Sequence, residues 1–256
     1  MIANYHTHTK RCRHASGTER EYIETAISRG LTTLGFSDHT PQIFPNGFVS
    51  NFRMFPEETA EYFSTLRALR DEYADRIEIK IGFEAEYYPA IFDDLIGFLS
   101  DFEPDYLILG QHFIDNEYDT YRYSGAKADE AALVRYVDQT LEAISTGKFS
   151  IFAHPDLINY TADEKIYERE ARRLCLGAKK AGIPLELNLL GLSEGRHYPR
   201  RDFWRIVSEV GNEVILGCDA HSPDRVARPD ELEKAKKYLD DFGISPIVHP
   251  TLIKPC

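Results

Sequence analysis

Ile2-Ala3-Asn4-Tyr5-His6-Thr7-His8 joins a short strand-like segment to two imidazoles spaced two residues apart. Residues i and i+2 of an extended segment point the same way, so both rings can grip one ion. Alone, this spacing is a weak sign. It gains force because the pattern recurs along the chain. The strand-like segment Leu34–Ser37 is followed by Asp38 and His39, and Ile77–Glu84 ends on Glu84. Tyr106–Gly110 leads to His112, Phe149–Ala153 to His154, and Glu213–Gly217 to Asp219-Ala220-His221. Strand ends in a closed parallel barrel meet on one face, where active sites are built. In an open sheet the outer strand ends lie too far apart to share a site. Singly, His112 and His154 read as hydrogen-bonded core histidines and Glu84 as an exposed acid. Unrelated structural histidines, however, have no reason to recur at the same end of successive strands.

Helical segments separate these strands. Thr18-Glu19-Arg20-Glu21 is a capping-box pattern that opens a helix running to about Arg29, with Gly30 as its stop. Further helices are expected over Glu57–Tyr73, Pro89–Asp101, Asp129–Thr146, Asp163–Ala181, Arg201–Val210 and Pro229–Asp241, with the sixth strand at Leu185–Leu189. Strict alternation favours a parallel sheet with helical crossovers. The expected fold is α/β, with roughly seven β-then-α units in one domain over residues 1–256, since no linker or shift in composition divides the chain.

Hydrophobic residues make up 43% of the chain, which argues against disorder. The net charge of −12 argues against nucleic acid or an anionic membrane as the main partner. No apolar run is long enough to span a bilayer. The N-terminal residues lack a secretory pattern, so a cytoplasmic location is expected. Cys12, Cys175, Cys218 and Cys256 form no CxxC pair and read as free thiols, although Cys12 and Cys218 stand beside candidate ligands. His14 can reach the same barrel mouth, whereas His197 and His249 show no register with it. Asp38 is placed either to orient a ligand imidazole or to cap a turn. Mixed His and carboxylate donors suit zinc, iron or manganese.

The ordered motifs, from His6-Thr7-His8 to Asp219-Ala220-His221, resemble those of the polymerase-and-histidinol-phosphatase (PHP) superfamily of metal-dependent hydrolases. The resemblance implies a distorted (β/α)7 barrel with parallel strands and three divalent metal ions at their C-terminal ends. One ion would be held by His6, His8, Glu84 and Asp219, a second by Glu84, His112 and His154, and a third by His14, His39 and His221. Glu84, Asp219 and His221 would then be catalytic. Gly35-Phe36-Ser37-Asp38-His39-Thr40-Pro41, Arg53-Met54, His154-Pro155-Asp156-Leu157, Glu186-Leu187-Asn188 and the run Gly191–Pro199 look like those of histidinol-phosphate phosphatases. Gln111 and Cys218 depart from that pattern, where Ser-Val and Ser are usual. The implied partner is a small phosphate monoester, with Arg196 and Arg53 expected to hold its phosphate through the guanidinium fork. The rival readings are a phosphoesterase of other or broad specificity and a non-catalytic metal-binding accessory module.

Overall fold

The computed structural model describes residues Met1–Cys256. In chain order its elements begin β1 (Ala3–Asn4), α1 (Glu19–Ser28), β2 (Thr33–His39), α2 (Thr59–Glu72), β3 (Glu78–Ala85), α3 (Phe92–Ser100) and β4 (Tyr106–Leu109). A hairpin of β5 (Phe113–Ile114) and β6 (Arg122–Tyr123) follows, then α4 (Glu130–Ser145), β7 (Ile151–Phe152) and α5 (Glu164–Ala181). The chain continues through β8 (Leu185–Asn188), α6 (Leu189–Glu194), α7 (Arg201–Val210), β9 (Val214–Gly217) and α8 (Pro229–Asp240).

Seven strands pair in parallel in the order β1-β2-β3-β4-β7-β8-β9. Just beyond the two outer strands, Thr7 bridges to Ala220, and the His8 amide donates to the Ala220 carbonyl at 3.0 Å. The sheet thus curls until its edges meet, which gives the expected distorted barrel. Register matters for the site: His39 pairs with Glu84 across β2 and β3, and Asn188 with Gly217 across β8 and β9.

Local signals set the helix ends. The Thr18 hydroxyl accepts from the Glu21 amide, and the Glu21 carboxylate accepts from the Thr18 amide, completing the capping box. The Asp129 and Asp163 carboxylates cap α4 and α5 by accepting first-turn amides, and Gly182 and Gly211 end α5 and α7 in the left-handed conformation. Apolar helix faces pack outside the sheet in one continuous core, which includes Tyr62, Phe83, Tyr136 and Trp204. Inside the barrel lies a smaller cluster of Ala3, Tyr5, Tyr106, Ile108, Ile151, Ala153 and Ile215. The C-terminal tail covers this cluster with Ile247 and Leu252. No helix is long and apolar enough to cross a membrane.

Four details differ from expectation. The strand expected at Phe149–Ala153 is regular only over Ile151–Phe152, and α3 starts at Phe92 rather than at Pro89. The β5–β6 hairpin and the short α6 had no counterpart in the periodicity, because each is too brief to show one.

Candidate metal centre and active site

The strand-end residues do converge. Donor atoms of His6, His8 and Asp219 lie within 4.8 Å of one another, as do those of Glu84, His112 and His154, and of His14, His39 and His221. Glu84 also groups with His8 and His39, which makes it the centre of the constellation. His154 and Asp219 adopt positive φ values of 31° and 49° directly after their strands. Such backbone is unfavourable for non-glycine residues and is common where a site imposes direction on a side chain.

Hydrogen bonding fixes which atoms face inward. His14 Nδ1 donates to the Cys12 carbonyl at 2.8 Å, and His221 Nδ1 donates to the Asp219 carbonyl at 3.0 Å. In the neutral rings both Nε2 atoms carry lone pairs, yet they face each other at 2.9 Å. That contact is repulsive unless a proton or a metal cation lies between them. His6 Nδ1 likewise donates to Glu186 at 2.7 Å, leaving its Nε2 as an acceptor 3.2 Å from His8 Nε2. Around the same point, His6 Nε2 is 3.5 Å from both Glu84 Oε2 and Asp219 Oδ1, and His8 Nε2 is 3.5 and 3.1 Å from those oxygens. Ligands at about 2.0–2.1 Å from a tetrahedral ion are spaced about 3.4 Å apart, so the donor set fits a divalent cation. Nδ1 of His39, buried 3.1 Å from Glu84 Oε2, has no hydrogen-bond partner, as expected of a donor reserved for an ion.

The electrostatics point the same way. Burial pushes the Glu84 and Asp219 carboxyls up, but the surrounding imidazoles outweigh it and hold both well below the ordinary carboxylate range. Burial pushes the His6 and His8 imidazoles down, yet their carboxylate neighbours raise them well above the ordinary value. A field that favours a proton on these rings favours a metal cation equally. Burial and the neighbouring His8 keep His39 and His221 low, His221 at about 3, and hence neutral as ligation requires.

Several supporting roles escaped the sequence reading, in which Glu186-Leu187-Asn188 figures only as a motif. The sixth strand supplies no ligand, but it supplies Glu186, which orients His6. It also supplies Asn188, whose amide donates to Glu186 at 2.8 Å and to Asp219 at 3.1 Å. Glu86 accepts from His112 Nδ1 at 3.1 Å. The available signal was the i, i+2 spacing of Glu84 and Glu86, and of Glu186 and Asn188, at strand ends. Two glycines make room for the carboxylates. A Cβ at Gly110 would collide with the Glu84 carboxylate, and one at Gly217 with the Glu186 carboxylate. Asp38 plays the capping part, accepting from the Thr9 and His39 amides, while its Oδ1 lies 3.6 Å from His8 Nδ1, beyond hydrogen-bond distance.

The cluster floors a cavity of about 730 Å³. Phe52, Phe113, Tyr121, Tyr123 and Tyr198 form its walls, with Arg196 and Glu194 at one side. Arg196 is held there by Glu194 at 2.8 Å and by the Tyr198 hydroxyl at 2.9 Å. Arg53 requires a correction. It is only 2% exposed and does not line the cavity, because Glu86 and Glu117 behind the wall take up its guanidinium. Cys12 Sγ lies within 4.8 Å of donor atoms on His8 and His221, whereas the Cys218 thiol accepts from the Ala227 amide, away from the cluster. All four cysteines are free. His197 bonds the Leu157 carbonyl, and His249 bonds the Tyr5 hydroxyl near the covered end of the barrel.

Residues 4–189 match the PHP domain family. A Deinococcus radiodurans protein described as a probable histidinol-phosphatase is 31% identical, the match covering 94% of each chain. The histidinol-phosphatase of Bacillus subtilis is 26% identical over 84% of this chain and 92% of its own. Among solved structures, histidinol phosphate phosphatase from Lactococcus lactis, determined with zinc, L-histidinol and phosphate, aligns with a TM-score of 0.75. That alignment covers 96% of this chain and 95% of the other at 21% identity, a likeness of fold. With its strand order, its converging donors and a match over most of its length, the chain belongs to the PHP family of metal-dependent hydrolases.

Proposed function

We infer that this chain hydrolyses L-histidinol phosphate to L-histidinol and inorganic phosphate, using a single barrel domain over residues 1–256 and three divalent ions. The observation that carries the reading is the set of imidazole and carboxylate ligand atoms gathered about Glu84 on the floor of a cavity flanked by Arg196. The substrate is supported by the relatives described as histidinol-phosphatases over nearly the whole chain.

His6, His8, Glu84 and Asp219 would hold one ion, Glu84, His112 and His154 a second, and His14, His39 and His221 a third. Zinc, iron and manganese suit this mixture of imidazole and carboxylate. Ions so placed lower the pKa of water and neutralise charge on a phosphoryl group. The protein's own groups do the rest. Glu186 and Glu86 fix the rings of His6 and His112, so the ligand atoms need no rearrangement when substrate arrives. Arg196 presents its charge to the phosphate while Glu194 and Tyr198 keep it from swinging into solvent. The aromatic walls exclude water and offer flat faces to the imidazole of the leaving group.

Phosphate release from L-histidinol phosphate tests the reading, with other monoesters and a diester alongside and the bound metals quantified. Preference for histidinol phosphate, abolished by chelation, is the expected result. Turnover of the other esters alone would leave a metal-dependent phosphatase of different specificity. No turnover with metals bound would favour the accessory-module reading.

A further inference from the structure

Arg53 is among the largest side chains sealed inside the protein, and it ties together three elements of the barrel mouth. It comes from the long connection between β2 and α2. Its Nη2 donates to Glu86 Oε1 at 2.5 Å and to the Tyr88 hydroxyl at 3.2 Å, and its Nε donates to Glu117 Oε2 at 2.8 Å. Glu86 lies just past β3, and Glu117 sits in the turn of the β5–β6 hairpin. Both acids are at most 1% exposed, so neither has water as an alternative partner. The same Glu86 oxygen that receives Arg53 also receives His112 Nδ1 at 3.1 Å, while His112 Nε2 faces Glu84 Oε1 at 3.6 Å.

The two elements clasped by Arg53 also carry the cavity walls. Phe52 precedes it and packs edge-on against His39, with ring centroids 5.0 Å apart. Tyr121 and Tyr123 belong to the hairpin and pack on Phe113 at 5.0 and 5.9 Å. A guanidinium withdrawn from water must find partners; Nε and Nη2 find these carboxylates, while Nη1 is buried without one.

We propose that Arg53 is a positioning residue: by docking the β2–α2 connection onto Glu86 it fixes the His112 ligand, and by holding Glu117 it fixes the hairpin wall. The link between cavity and metal centre is therefore one side chain that touches neither substrate nor ion. This rests on reading His112 as a metal ligand.

The test compares Arg53→Met, Arg53→Lys and Glu117→Gln with the unaltered protein. Zinc ion is titrated against a competing chelator, and kcat and KM for histidinol phosphate are measured on protein shown by circular dichroism to be folded. Arg53→Met should weaken zinc at one site by about 10–100-fold, the usual effect of losing a partner behind a ligand. Arg53→Lys should recover part of that loss. Glu117→Gln, whose carboxylate does not touch His112, should raise KM while leaving the zinc titration unchanged. An unaltered zinc titration in Arg53→Met would overturn the proposal, and so would equal zinc loss in Glu117→Gln, which would mark a general loosening. Should Arg53→Met fail to fold, Glu86→Gln keeps the shape and should show the same one-site weakening; no weakening there would overturn the proposal too. Unaltered protein that binds zinc but spares histidinol phosphate would refute the functional reading, while the titration would still decide the role of Arg53.

Discussion

The two halves of the barrel interior obey opposite rules. In the lower half, Ala3, Tyr5, Tyr106, Ile108, Ile151, Ala153 and Ile215 form an apolar plug. Its one deeply placed hydroxyl, that of Tyr106, donates to the Tyr5 carbonyl at 2.6 Å, so no polar group is left wanting. In the mouth, buried His6, His8, His39, Glu84, His154 and Asp219 crowd together with acceptor facing acceptor. Strands β1, β4, β7 and β9 supply the lower half, and the mouth draws on β2 and β3 as well. The lower half is stabilised by apolar burial, and the upper half sets buried charge against buried charge until cations arrive. Stability and activity should therefore respond to different residues.

Glu84→Gln is the strongest way to test that separation. Glu84 groups with donors of two different sites, so losing its charge should lower kcat/KM for a phosphate monoester by about 10³-fold or more. The cost of burying that charge offsets part of the attraction its imidazole neighbours supply, so metal-free stability should fall by less than it does on loss of a residue from the lower half. Thermal unfolding in chelator checks the second half of this prediction. A large fall in metal-free stability would mean that the mouth contributes to the fold in its own right.

Tyr106→Ala probes the other half. Tyr106 is fully buried, and its ring fills the space left by Gly35 and Gly82 on the neighbouring strands. The cavity and the lost hydrogen bond should cost about 3–5 kcal/mol of unfolding free energy, read by denaturant titration. The fraction that remains folded and metal-loaded should keep kcat within about twofold, because additivity holds for sites without shared partners. A collapse of kcat in fully folded protein would show that the halves are coupled.

Smaller effects should appear just outside the cluster, and they should differ in kind. Glu186→Gln leaves every ligand in place but weakens the hold on His6 Nδ1, so zinc affinity should fall by about 10–100-fold in a chelator competition. Arg196→Ala should leave zinc affinity unchanged and lower kcat/KM by about 10–100-fold, about 1.4–2.8 kcal/mol of phosphate interaction. If both variants lost metal together, the division between ligand support and phosphate binding would be wrong.

The upper half was far more legible in the sequence than its support. His6-Thr7-His8 and Asp219-Ala220-His221 declare themselves because the chemistry needs scarce residue types at a strand's end. The barrel followed from asking where those ends must meet. Glu186 stood out only as part of a motif, not by its role, since a strand-end acid is ordinarily exposed, and only closure of the barrel, with β9 between β8 and the chain after β1, buries it against His6. Arg53 misled for the same reason. An arginine in a long loop beside a phosphate site invites a substrate contact, and nothing local reveals that Glu86 and Glu117, 33 and 64 residues away, enclose it. The β5–β6 hairpin carries no turn dipeptide of the Asn-Gly type, so its aromatic wall had no local signature.

Thr18 offers the weakest perturbation and a clean control. Its hydroxyl caps α1 on the outer surface, in contact with neither half of the barrel interior, through the exposed reciprocal bonds with Glu21. Thr18→Ala should lower the unfolding free energy by about 1 kcal/mol, as expected for a lost helix cap. Because α1 packs on the outside of the sheet through Tyr22, Ile23 and Ala26, that loss should be the same with and without bound metal. Equal shifts in the two states would show that cation binding stabilises the mouth alone, whereas a larger shift in the loaded protein would mean that the ions tighten the barrel out to its helical shell.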